Sequence, residues 1–228
     1  MVEAVELTIE TPDAVSALWM RPPGARAAYL FAHGAGAGMR HAFMEQLAAA
    51  LAERAVATLR YQFPYTESGR RRPDPPATLE RTVRAAAAEA VRRAPDLPLV
   101  AGGKSMGGRM TSQAQAQAPL DGVRGLVFIG FPLHPADRPS ETRGEHLARV
   151  ELPMLFLSGT RDELAELDRL ERVVRGLGPR ATLSLVHGAD HSFRVPARSG
   201  RRAVDVMAGL ADEVAGFAAR VSDGSGVG

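Results

Sequence analysis

The chain has 228 residues, 45% of them hydrophobic, no cysteine and a formal net charge of +2. That length and balance exclude a disordered chain and provide for one core of ordinary size. Zero cysteine excludes a disulfide framework, a thiolate nucleophile and any cysteine-ligated metal.

Two short strands are expected near residues 3–10 and 14–20, and the apolar run Ala27–Ala32 predicts a third that leads into His33 and a glycine-rich loop. Phe43, Leu47 and Leu51 recur at helical spacing within a helix over His41–Arg54, and Val56–Tyr61 is the next strand. A Pro- and Arg-rich loop follows, and Pro75-Pro76 open a helix that carries Leu79, Val83, Ala87 and Val91 on one face. Leu99–Gly102 is a strand, a tight Gly-Lys-Ser-Met-Gly turn succeeds it, and a helix runs to about Ala118. Gly125–Gly130 is a strand apolar on both faces, and the loop after it holds at most a short helix near 142–149.

Met154–Ser158 is a strand before a helix striped by Leu164, Leu167, Leu170, Val174 and Leu177, which Gly178-Pro179 stops. Ala181–Val186 is the last strand. The closing helix presents Val204, Met207, Leu210, Val214, Phe217 and Val221. Strands apolar on both faces, alternating with amphipathic helices, imply a mostly parallel central sheet with helices on both faces. One α/β domain over 1–221 and a glycine-rich tail over 222–228 account for the chain. In such sheets ligands bind beyond the carboxyl ends of the strands.

Charge adds little. Of 28 basic residues only Lys104 is a lysine, asparagine is absent, and GC-rich codon choice explains most of the arginine excess. Only Arg70-Arg71-Arg72 form a cluster, so a nucleic-acid partner is not expected. The N-terminus carries Glu3, Glu6 and Glu10 where a signal peptide needs basic and then apolar residues, and no stretch approaches the ~20 apolar residues of a membrane span. The expected location is the cytoplasm, without membrane attachment.

Three glycine-rich motifs compete. A P-loop ending at Gly103-Lys104-Ser105 needs glycine where Pro98 stands. A dinucleotide fingerprint begun at Gly34 or Gly36 meets Met39 or His41 where a small residue is required. The third fits: Gly103-Lys104-Ser105-Met106-Gly107 is G-x-S-x-G between a strand and a helix, the context of a nucleophile elbow. A glycine-rich turn with a capping serine is the plain alternative.

A serine nucleophile needs a base and an orienting acid, which in this fold class follow in the order acid, then histidine. Asp162 stands in the loop after Met154–Ser158, and His191 in the loop after Ala181–Val186. Asp168 is the poorer acid, His187 the rival base, and Asp190 is expected to shape its loop. The oxyanion of acyl transfer needs two N–H donors. Met106 and Ala35 are placed to supply them, with His33 structural. Lys104 is too close to Ser105 in sequence to serve as its base, and Arg109 is expected to anchor the nucleophile helix to a neighbouring loop.

Together, His33-Gly34-Ala35-Gly36, Gly103–Met110, Gly159-Thr160-Arg161-Asp162 and Gly188-Ala189-Asp190-His191 resemble the α/β-hydrolase superfamily. Arg60–Tyr65, Gly69–Asp74, Gly130–Pro135 and Glu145-His146-Leu147 are similar to the branch holding testis-expressed protein 30 and the third subunit of the chromatin NSL complex. The resemblance implies an α/β-hydrolase fold with Ser105, Asp162 and His191 at the triad positions. It supplies no substrate.

The loops after Val56–Tyr61 and Gly125–Gly130 are expected to flank the elbow, which makes Phe63, Tyr65, Phe131 and His134 the candidate substrate-binding residues. The segment between Ile129 and Leu152 is too short for a helical cap. The reading is a serine hydrolase of a small-molecule carboxylic ester or thioester, with no metal and no cofactor. A non-catalytic binding module and a small-peptide hydrolase are the alternatives.

Overall fold

In the computed structural model, which describes residues 2–222, the strand β3 (Ala27–Ala32) is buried along its whole length. Its alternate residues enter two different cores. Ala28, Leu30 and Ala32 face one layer of helices, while Ala27, Tyr29 and Phe31 face the other. A strand that buries both faces belongs at the centre of a sheet covered on both sides, and the eight-stranded sheet places it there.

The strands in chain order are β1 (Val5–Ile9), β2 (Val15–Met20), β3, β4 (Val56–Tyr61), β5 (Leu99–Lys104), β6 (Val123–Ile129), β7 (Met154–Gly159) and β8 (Ala181–Val186). Across the sheet they lie in the order β1-β2-β4-β3-β5-β6-β7-β8. β3 to β8 run parallel, and β1 and β2 form an antiparallel edge. The connections leave β3 in one direction for β4 and return past it for β5. The crevice beyond the ends of β3 and β5 is therefore the switch point, where such sheets place ligands.

Helices α1 (Ala42–Ala52) and α6 (Ala203–Ser222) cover one face. The other is covered by α3 (Pro76–Arg93), α4 (Met106–Gln117) and α5 (Leu167–Leu177), with the short α2 (Pro64–Glu67) beside them. The stretch between β6 and β7 holds only a 3₁₀ turn, Thr142–Arg149, packed on α4, so no cap stands over the switch point.

Two boundaries differ from the sequence pattern. α5 begins at Leu167, because the Asp162 carboxylate accepts the N–H of Leu164 (2.9 Å) and the Leu164 carbonyl accepts Leu133 N (2.8 Å), holding Leu164 in the loop. The apolar stripe of α6 begins at Val206, with Val204 62% exposed beyond the sheet. Ser222 closes α6, and the rest of the expected tail, 223–228, lies outside the described residues. Among the described residues no helix is long and apolar enough to cross a membrane.

Candidate active site

Ser105 follows β5 directly and stands at the N-terminus of α4 with φ 52° and ψ −118°. This region is costly for a residue with a side chain, on the order of 1–3 kcal/mol. The surroundings hold it there. Lys104 pairs with Ile129 in the sheet, and the Ser105 N–H donates to the Ile129 carbonyl (3.0 Å). Glycine is required where the turn meets β3: a β-carbon on Gly103 would lie 2.3 Å from the carbonyl oxygen of Ala32. The strained turn leaves the serine hydroxyl above the sheet.

Asp162 and His191 arrive from loops after β7 and β8 that are joined to each other. Arg161 N donates to Ala189 O (2.9 Å), and Gly188 N donates to Thr160 Oγ1 (2.8 Å). Asp190 accepts the N–H groups of Ser192 and Arg194 on Oδ1 (2.8 and 2.9 Å), so it shapes the histidine loop as expected. The result is a chain of contacts. His191 Nδ1 lies 3.0 and 2.9 Å from Asp162 Oδ1 and Oδ2, and His191 Nε2 lies 2.9 Å from Ser105 Oγ.

Proton roles follow from donor counting. A carboxylate only accepts, so Nδ1 donates to Asp162, and the Nε2 of a neutral imidazole is left to accept the Ser105 O–H. The Asp162 side chain is fully buried, while that of His191 is 23% exposed. The rivals are elsewhere: His187 is exposed, and Asp168 pairs with Arg172 on the surface of α5 (3.0 Å).

The glycine loop after β3 faces this constellation, with a β-carbon on Gly34 falling 3.5 Å from Ser105 Cβ. Among the described residues, the N–H groups of Met106 and Ala35 have no hydrogen-bond acceptor. Met106 opens α4, where backbone donors are left unpaired by geometry. His33 is wholly buried and ties the loop down. Phe63 N donates to His33 Nε2 (3.2 Å), so Nδ1 carries the proton and donates to Gly34 O (2.8 Å). Burial lowers the pKa of this neutral ring to about 4. No group of three or more His, Asp or Glu residues is placed to hold a metal ion among the described residues.

A sequence profile described as "Alpha/beta hydrolase domain" matches residues 25–219. The chain belongs to the alpha/beta hydrolase domain family. Solved structures place this α/β-hydrolase beside a dienelactone hydrolase from Anabaena variabilis, with a TM-score of 0.75, 20% identity and coverage of 94% of this chain and 95% of that one. An α/β serine hydrolase without a lid from Xanthomonas campestris gives a TM-score of 0.73, 20% identity and coverage of 94% and 95%. An esterase from Pyrococcus furiosus gives 0.73 at 15% identity, covering 96% and 93%. At these identities the likeness is one of fold.

The α/β-hydrolase has a cleft of about 740 Å³ at the elbow, lined by Ser105, His191, Gly34 and Ala35. Its apolar wall is built from Phe43, Met44, Leu164, Phe193, Val206 and Met207. This wall was not foreseen from sequence. The signal for it was positional: Phe43 stands in the first turn of a helix that follows a strand, and so at the carboxyl edge of the sheet.

Phe63, Tyr65, Phe131 and His134 are not part of this cleft. Each is at most 1% exposed. Phe63 and Tyr65 pack on the His33 ring, with centroids 5.0 and 6.1 Å away. Phe131 packs edge-to-face with Phe128 and Phe156, and His134 lies 2.7 Å from Glu166 through Nε2. Their loops turn these side chains down into the core that faces α3 and α4, while the cleft opens on the side of α1 and α6. Arg70 pairs with Asp74 (2.8 Å), and Arg109, expected to anchor α4, has its Nε buried without a hydrogen-bond partner.

A second serine–histidine contact exists, between Ser112 Oγ and His146 Nε2 (2.7 Å). Its chemistry differs. The Ser112 hydroxyl already donates to the Arg109 carbonyl (2.9 Å), so His146 must be the donor and cannot act as its base. Ser112 is wholly buried, and burial lowers the His146 pKa to about 4. The pair is a structural tie between α4 and the 3₁₀ turn.

Proposed function

We propose that this chain is a serine hydrolase that cleaves a carboxylic ester or thioester through an acyl-enzyme on Ser105. The single observation that carries the reading is the aligned contact of Ser105 Oγ with His191 Nε2, with Asp162 on the far nitrogen. Ser105 Oγ attacks the substrate carbonyl while His191 Nε2 takes the hydroxyl proton. Asp162 orients the ring and balances the imidazolium charge. The oxyanion is received by the N–H groups of Met106 and Ala35.

As the tetrahedral adduct collapses, the bond to the leaving oxygen or sulfur breaks and His191 returns its proton to that atom. Water then attacks the acyl-enzyme while His191 accepts a water proton, and as the second adduct collapses His191 returns that proton to Ser105 Oγ, releasing the acid product. These steps use only residues of the chain, the substrate and water. The apolar wall of Phe43, Leu164, Phe193 and Met207 favours an acyl group as the occupant of the cleft. Residues Arg60–Tyr65 and Gly130–Pro135 support membership of the branch with testis-expressed protein 30, and a cytoplasmic location is the matching proposal.

A fluorophosphonate probe tests the reading. Labelling that vanishes in Ser105→Ala and falls sharply in His191→Ala supports it. A folded protein that resists the probe and cleaves no p-nitrophenyl ester or acyl-thioester overturns it in favour of a non-catalytic module. Turnover confined to peptides would identify a small-peptide hydrolase instead.

A further inference from the structure

The only lysine of the chain precedes the proposed nucleophile, and no step above uses its side chain. Lys104 and Ser105 leave the elbow in different directions. Lys104 Nζ donates to the main-chain oxygen of His191 at 2.7 Å. It also lies over the rings of Phe43 and Phe193, 5.9 and 5.6 Å from their centroids. A β-carbon on Gly130 would come 3.1 Å from Nζ and 3.4 Å from the His191 ring. The ammonium is thus boxed by two aromatic faces, one carbonyl and a glycine wall.

Among the described residues Lys104 makes no direct ion pair, and the negative charges that act on it are those of Asp162 and Asp190. Lys104 is half-buried on the wall of the cleft, and desolvation draws its pKa down to about 8 against the opposing pull of Asp162 and Asp190. A guanidinium is planar and spreads its donors in a fixed fork, so it does not reproduce the single Nζ contact with the His191 carbonyl.

We propose that Lys104 is a positioning residue whose ammonium clamps the main chain of His191, so that the imidazole stays on the Ser105 hydroxyl. The inference rests on the reading of Ser105 and His191 as nucleophile and base. Adjacent residues then grip His191 at two points: Ser105 Oγ on Nε2 and Lys104 Nζ on the carbonyl oxygen. Both grips lie at the carboxyl end of β5, Lys104 as its last residue and Ser105 just after it, and β5 is pinned between β3 and β6, so the histidine loop takes its position from a rigid central strand.

The test compares wild type, Lys104→Met, which keeps the stem without a donor, and Lys104→Arg. Hydrolysis of p-nitrophenyl acetate, thermal melting and the low-field proton resonance of His191 Nδ1–H are measured on each. The expected result is a loss of about ten- to hundredfold in kcat for Lys104→Met, since small misplacements of a reacting group cost that much. KM stays within about twofold, a KM-against-kcat split that separates positioning from binding. The melting temperature is retained, the imidazole resonance broadens or disappears, and Lys104→Arg restores neither reading. Lys104→Gln replaces Lys104→Met if the latter does not fold.

Wild-type kcat in the folded Met or Gln variant overturns the clamp. So does a loss confined to KM, which would make Lys104 a substrate contact. If wild type itself resists fluorophosphonate and turns over nothing, the nucleophile reading fails. The resonance still decides the clamp in that case: a signal as sharp in Lys104→Met as in wild type overturns it.

Discussion

Gly107 and Ala32 approach so closely that a β-carbon on Gly107 would lie 2.5 Å from the Ala32 carbonyl oxygen, and 2.6 Å from that of His33. The first turn of α4 therefore rests directly on the end of β3, and this contact sets the height of Ser105 above the sheet. Gly107→Ala is expected to destabilise the fold by about 1–3 kcal/mol, the range for overpacking, and to abolish fluorophosphonate labelling. Urea denaturation read beside labelling checks it. Gly209→Ala is the control, for Gly209 lies within α6 with no atom within 4 Å of the added carbon. It is expected to stabilise by about 0.5–1 kcal/mol.

Asp162→Asn separates orientation from nucleophile chemistry. An amide donor facing His191 Nδ1 favours the tautomer with the proton on Nε2, which can no longer accept from Ser105. The expected loss in kcat is on the order of 10³–10⁴, with the far-UV circular dichroism spectrum unchanged. Steady-state kinetics on a p-nitrophenyl ester measure it. A loss under tenfold would place the acid elsewhere.

Phe43 and Phe131 divide the cleft from the core. Phe43→Ala is expected to raise KM for longer acyl esters several-fold while leaving kcat for acetate esters within about twofold, as loss of uniform binding does. Phe131→Ala empties a core position 1% exposed and is expected to cost about 3–5 kcal/mol of stability. A series of p-nitrophenyl esters and a urea titration test the two.

His33 and His146 make the fold acid-sensitive. Both are lowered by burial from 6.5 to about 4. The unfolded chain therefore binds two protons that the native state refuses until lower pH. Their stabilising contribution is whole above about pH 6.5 and is lost as the pH falls toward 4, at roughly 3 kcal/mol each when complete. Urea unfolding between pH 7 and 4.5 is expected to show this decline, and His146→Gln is expected to show about half of it over the same range.

Local patterning makes the sheet, the helices and the shared edge of Ser105, Asp162 and His191 legible in the sequence. Ser105, Asp162 and His191 each follow a strand, and in a parallel sheet every post-strand loop emerges at the same edge. Short-range information of that kind is carried in the chain itself: alternation of apolar residues, glycine at a tight turn, proline at a helix start. The reach of α5 was overstated because apolar spacing takes no account of a carboxylate that captures a backbone N–H, as Asp162 does at Leu164.

The cleft was decided otherwise. Whether a loop side chain turns into a core or out to a crevice depends on which helices cover each face, and that is settled by packing between distant segments. Phe63 and Phe131 had the right position along the chain and turned inward. Phe43 and Phe193, far apart in sequence, came together with ring centroids 6.1 Å apart around an ammonium that composition alone marked as singular. A residue's type and its place after a strand are local facts; its direction is a property of the assembled layers.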